Sequence, residues 1–136
     1  MKYKYHKILF TALISLLSSN IIYAEDCKAS EDSSRLTVAG GSLTEIVYLL
    51  GQEKKLIAVD ITSNYPDKAK ELPSIGYVRA LSAEGVLSLS PTLILGENDM
   101  GPPAVIEQLD RVGVQIEIIP EENTAKGIIN KVECVA

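Results

Sequence analysis

Residues 36–51 read LTVAGGSLTEIVYLLG, and this stretch decides the fold. Leu36 to Ala39 is a short apolar run of β-favouring residues that stops at Gly40-Gly41. Ser42, with Glu45 three residues on, has the pattern of a capping box, so a helix is expected to open at Ser42. Leu43, Ile46, Val47 and Leu50 then recur at helical spacing, and Gly51 stands where a C-terminal cap is expected. The unit reads as strand, tight turn, helix.

The same alternation continues outward. Leu56 to Val59 (LIAV) is a second strand ending at Asp60, followed by a polar stretch with Tyr65-Pro66 and a short helical turn through Lys70. Leu72-Pro73-Ser74-Ile75-Gly76 is a loop by its Pro and Gly content, Tyr77 to Leu81 follows it, and Ser82 opens a short helix through Leu89. After Pro91 comes a third apolar strand, Thr92 to Leu95, which Gly96 is expected to close. Proline at 102 and 103 suits a helix start, with Val105, Leu109 and Val112 as its apolar face up to Gly113. Val114 to Ile119 is a fourth strand, and a last helix from Asn123-Thr124 carries Ile128, Ile129 and Val132 on one side. Strands alternating with helices over short connections predict an α/β class, a parallel sheet with helices on both faces. Continuous apolar strands such as TLIL fit a sheet covered on both sides.

The first 24 residues stand outside this pattern. Lys2, Lys4 and Lys7 precede an apolar run from Ile8 to Leu17, and Ala24 supplies the small residue that a signal peptidase needs. Residues 1–24 are therefore expected to be a cleaved secretory signal peptide, too short in its apolar run to cross a bilayer core of roughly 30 Å as a helix. Glu25 and Asp26 before Cys27 do not suit a lipoprotein signal. Without those three lysines, 10 of the 13 basic residues face 18 acidic ones, a formal charge of −8. Such an exterior repels phosphate and anionic lipid heads, so neither nucleic acid nor stable membrane insertion is expected. Export to an oxidising compartment permits Cys27 and Cys134 to bridge, but their positions in the chain leave open whether they meet. The single histidine, His6, lies in the signal segment. A protein metal site, a zinc centre or a histidine-activated nucleophile therefore lacks its parts, and no catalytic residue is expected.

The longest informative stretch is Gly76-Tyr77-Val78-Arg79-Ala80-Leu81-Ser82-Ala83-Glu84-Gly85-Val86-Leu87-Ser88-Leu89, before Pro91-Thr92-Leu93-Ile94. With the opening VAGGSLTEIVYLLG, it resembles the haem-binding members of the periplasmic proteins that serve iron, siderophore and cobalamin importers. The resemblance runs from Arg35 to the end. It implies a two-lobed fold of Rossmann-like α/β lobes joined by one long helix, with the ligand in the cleft between them. On that reading residues 25–123 are the N-terminal lobe and 124–136 begin the interlobe helix, which this chain leaves incomplete. The implied function is the substrate-binding component of a haem ABC importer. It would act as a monomer that takes up haem (hemin) as a transported ligand and delivers it to the inner-membrane ABC permease.

The same resemblance singles out Tyr77 as the axial ligand to haem iron. Ferric iron is a hard acid, and a phenolate oxygen is a hard anionic donor that suits it. A free phenol ionises near pH 10, so a ligand tyrosine needs help from the metal and from nearby positive charge. Arg79, two residues on, shares a face with Tyr77 if the segment is extended, and takes that supporting role. Tyr65 is the rival ligand, though its place beside Pro66 in a polar loop suits a rim or packing role better. Glu84 matches the family's acidic residue that docks on the permease. A glutamate in a first helical turn is also favoured by the helix dipole alone. Gly40-Gly41-Ser42 lacks the lysine of a phosphate-binding loop. A cobalamin or siderophore binder on the same scaffold, or a truncated single lobe without transport function, are the competing readings.

Overall fold

The computed structural model describes residues 27–136. The expected signal peptide lies outside these residues, apart from them in the chain. Four strands form one parallel sheet: β1 (Leu36–Ala39), β2 (Leu56–Val59), β3 (Leu93–Glu97) and β4 (Gln115–Ile119), in the spatial order β2-β1-β3-β4. The helices are α1 (Gly41–Leu49), α2 (Ala83–Leu87), α3 (Pro103–Arg111) and α4 (Ala125–Val135), with 3-10 turns at Glu53–Lys55 and Asp67–Glu71. The expected α/β class is what the chain adopts.

Alternation along the strands divides the core in two. Leu36, Val38, Leu93 and Leu95 point to one face, where Leu43 and Val47 of α1 and Cys134 and Val135 of α4 cover them. Ala39, Ala58 and Ile94 point to the other, beneath Val78, Leu81, Val86 and Leu109 from the 77–81 segment, α2 and α3. Period-two side chains buried on both faces are what a parallel sheet requires. Each fully buried aliphatic side chain contributes roughly 1.5–3 kcal/mol relative to exposure, so both layers are needed to hold the sheet.

Several local expectations are corrected. Helix α1 starts two residues earlier than the capping box placed it: Gly40, not Ser42, is the N-cap, and no side chain caps the helix. The Ser42 hydroxyl instead reaches Glu97 at the end of β3. Gly96 does not end β3 but lies within it. A Cβ there would collide with the Met100 side chain, which would have to shift, and glycine avoids that clash. Val112 of the supposed α3 face is 59% exposed, leaving Leu109 as the fully buried residue of that helix.

Helix α4 packs through an unexpected face. Thr124 caps it by accepting a hydrogen bond from the Gly127 amide, 2.9 Å, and Gly127 and Lys131 are its buried residues. Ile128 and Ile129 are 65% and 58% exposed. The Lys131 ammonium donates to Glu97 at 2.8 Å, to Ser42 at 3.1 Å and to Glu121 at 3.4 Å, fastening α4 to the end of β3, the first turn of α1 and the exit of β4. Cys27 and Cys134 are joined in a disulfide, with Cα atoms 5.3 Å apart, which ties the segment before β1 to the last turn of α4.

Candidate functional site

In an open parallel sheet, ligands are held beyond the carboxyl ends of the strands, next to the point where the connections diverge to opposite sides. Here that point lies between β1 and β3, because β2 sits on one side of β1 and β4 on the far side of β3. The loops at this edge are built around Asp60, which is 2% exposed. One of its carboxylate oxygens accepts from the Gly40 amide at 3.1 Å and the Ser63 hydroxyl at 2.9 Å. The other accepts from the Thr62 amide at 3.1 Å and the Thr62 hydroxyl at 2.7 Å. Four donors satisfy a buried carboxylate and hold the β1 and β2 exits together. The sequence reading saw in Asp60 only the end of a strand.

From this frame hangs the segment that carries the expected ligand. Residues 73–76 run beside β2, with the Val59 amide donating to Pro73 at 3.0 Å, the Ile75 amide to Val59 at 3.0 Å and the Ile61 amide to Gly76 at 2.9 Å. Gly76 then turns with φ of +90°, a conformation L side chains rarely adopt. The chain crosses to the β3 exit, where the Gly101 amide donates to Val78 at 3.0 Å and the Leu81 amide to Gly101 at 2.9 Å. Val78 and Leu81 are buried. They anchor the segment from below while Tyr77 and Arg79 project outward.

Tyr77 is 41% exposed, and its hydroxyl makes no hydrogen bond among the described residues. Residues 77–80 are not extended, as the alternation argument assumed. They form a turn in which the Ala80 amide donates to the Tyr77 carbonyl at 2.8 Å. Arg79 nevertheless lies within electrostatic reach of Tyr77, and the turn brings in a residue that sequence reasoning missed. Nε and Nη2 of Arg79 each lie 2.7 Å from one carboxylate oxygen of Asp99, in the loop after β3. The hydrogen bond to Asp99 first, then the electrostatic influence of Tyr77 and the charge of Asp99, hold the Arg79 guanidinium above its ordinary pKa. Asp99 lies 20 residues from Arg79 in the chain, and no local motif joins them.

Tyr65 and Glu84 are not part of this cluster. Tyr65, 67% exposed, lines a groove between α1 and α4 with Glu45, Leu49 and Ile128. Glu84 stands on the first turn of α2, capped by Ser82, with its side chain exposed. Neither that groove nor the recess beside the Cys27–Cys134 bridge includes Tyr77 or Arg79. The two project from an open wall.

The class these features define is an α/β binding lobe: a parallel sheet whose carboxyl edge presents exposed polar side chains on stitched loops. The chain belongs to the periplasmic binding protein family, which it matches over residues 36–136. It is similar to a periplasmic haem-binding protein from Pseudomonas aeruginosa, with 43% identity and a TM-score of 0.73, covering 75% of this chain and 37% of that one. It is also similar to the periplasmic haem-binding protein HutB of Vibrio cholerae, with 38% identity and a TM-score of 0.72, covering 77% of this chain and 40% of that one. A vitamin B12-binding protein of Vibrio campbellii is 28% identical over 113 residues, 83% of this chain and 41% of its own length. The chain thus spans about two fifths of the length of these relatives. Among the described residues no helix is long and apolar enough to cross a membrane.

Proposed function

We propose that this chain is one wall of a haem-binding cleft, and that the intact protein captures ferric haem in the periplasm and passes it to an inner-membrane ABC permease. Tyr77 binds the iron through its phenolate oxygen, and Arg79 stands beside it as a fixed positive charge. The observation that carries this reading is the exposed Tyr77 at the carboxyl edge of the sheet, its hydroxyl bonded to none of the described residues, on a segment held by main-chain hydrogen bonds at both ends. A phenol that bonds to none of the described residues and lies within electrostatic reach of a guanidinium can bond a hard metal ion without breaking any contact among them. The open wall fits a site completed by a second lobe, since a pocket needs two sides to bury a flat ligand. Residues 124–136 lead toward the connection to that lobe.

Export by the amino-terminal signal peptide delivers the protein to the periplasm. Glu84, exposed on α2, meets basic residues of the permease, and ATP hydrolysis elsewhere drives transport. The protein acts as a monomer and performs no chemistry on its cargo. Adding hemin is expected to give the visible spectrum of tyrosinate-ligated ferric haem, and Tyr77→Phe to abolish it. An unchanged spectrum in Tyr77→Phe would remove the ligand assignment.

The similarity to a vitamin B12-binding protein supports a second reading, a cobalamin binder on the same frame. That ligand needs no phenolate on its metal. Cyanocobalamin binding that survives Tyr77→Phe, with no hemin binding in the parent protein, would favour it.

A further inference from the structure

We propose that Asp99 is a positioning residue for the ligand: it holds the Arg79 guanidinium beside Tyr77, and haem is retained less well without it although Asp99 does not touch the haem. This rests on the reading that Tyr77 and Arg79 hold the haem. Arg79 has a long side chain on an exposed turn, with 62% of its side-chain surface open, and left to itself it would sample many rotamers. Asp99 removes that freedom. Nε and Nη2 both close on one carboxylate oxygen at 2.7 Å, which orients the guanidinium plane, while Nη1 has no partner among the described residues and stays available.

The backbone makes this contact stiffer than an ordinary surface pair. Arg79 lies between Val78 and Leu81, and Asp99 lies two residues before Gly101. The amide of Gly101 donates to Val78 at 3.0 Å, and its carbonyl accepts from Leu81 at 2.9 Å. The Met100 amide donates to Glu97 at 2.9 Å, closing the turn on which Asp99 sits. Both ends of the pair therefore start from main chain already fixed in relative position. The ordering of two long side chains, which usually cancels the value of an exposed pair, is here mostly that of Arg79 alone.

The sign of the effect separates this proposal from simple electrostatics. Haem carries two propionates, and deleting a negative charge nearby would by Coulomb's law alone strengthen binding of an anionic ligand. Positioning predicts the opposite.

The test uses the chain loaded with hemin, with haem loss followed optically as a protein scavenger takes it up. Asp99→Asn is expected to release haem about threefold faster, within the modest range of an exposed pair, with the tyrosinate bands and thermal midpoint unchanged. Asp99→Glu should restore most of the retention. In an Arg79→Leu background, Asp99→Asn should have no further effect. Slower or unchanged release in Asp99→Asn, or an equal acceleration in the Arg79→Leu background, would overturn the proposal. Tyr77→Phe in the same series tests the underlying reading separately: if its spectrum matches the parent's, the ligand assignment fails whatever Asp99 does.

Discussion

Breaking the Cys27–Cys134 bridge is the perturbation whose size follows most directly from the chain's topology. The two cysteines are separated by 107 residues, so the bridge closes nearly the whole described chain into one loop. For a loop of that length, the chain-entropy relation gives a stabilisation of about 4.7 kcal/mol at 25 °C, through restriction of the unfolded ensemble. Domains of this size have a total stability of about 5–15 kcal/mol, so the bridge is a large share of the margin. In urea, with a slope of about 2 kcal/mol per molar, the Cys27→Ser/Cys134→Ser chain should unfold with its midpoint lowered by about 2 M, read by circular dichroism at 222 nm. The loss should also be felt locally. Without the bridge the segment before β1 still has contacts such as the Glu31 amide to Gln115 at 2.9 Å and Lys55 to Ser33 at 3.1 Å. Amides in the last turn of α4 should then exchange faster than those of β1. A difference below about 1 kcal/mol between bridged and unbridged chains would refute the argument, because the unfolded chain would then be gaining almost nothing in freedom.

Two further substitutions probe the strand exits. Asp60→Asn keeps the shape of a side chain with four donors pointed at it, but replaces one acceptor oxygen by an amide that can only donate. A loss of about 3 kcal/mol in denaturant unfolding is expected, and a loss below about 0.5 kcal/mol would show that the carboxylate is not what holds the exits together. Lys131→Met leaves Glu97 with its side chain only 15% exposed and its cationic partner gone, which should cost about 3 kcal/mol; adding Glu97→Gln should recover at least half. Equal losses in the single and double variants would mean that the ammonium matters for packing rather than for its pairing.

What could be read from the sequence follows the range over which each signal acts. The strand and turn of LTVAGG and the face formed by Leu43, Ile46 and Val47 were legible, since the residues that decide them are neighbours in the chain. Ser42 was misread for the opposite reason. Its spacing to Glu45 satisfies a local capping rule, yet its hydroxyl is taken by Glu97 and Lys131, 55 and 89 residues away. Gly96 looked like a strand terminator because glycine usually interrupts strands, and nothing near it in sequence reveals that Met100 folds back over it. The α4 face was assigned to its isoleucines by hydropathy, whereas a buried lysine with three acceptors and a glycine packed on Glu122 decide which side turns inward.

The candidate site divides the same way. Tyr77 and Arg79 stood out through a long resemblance, and both lie at the carboxyl edge of the sheet. Their relation through a turn, and the presence of Asp99, depend on where the β3 exit falls in space. Asp60 gave no motif at all, because its donors come from two loops and three different residues.

The stretch bearing Tyr77 is fastened by amides and carbonyls at its two flanks, from Ile61 on one side and Gly101 on the other. Such fastenings are blind to side-chain identity. A descendant of this sequence could exchange the outward-facing residues at 77 and 79 for others, and so change what it grips, while the chain still follows the same course through the same anchor points.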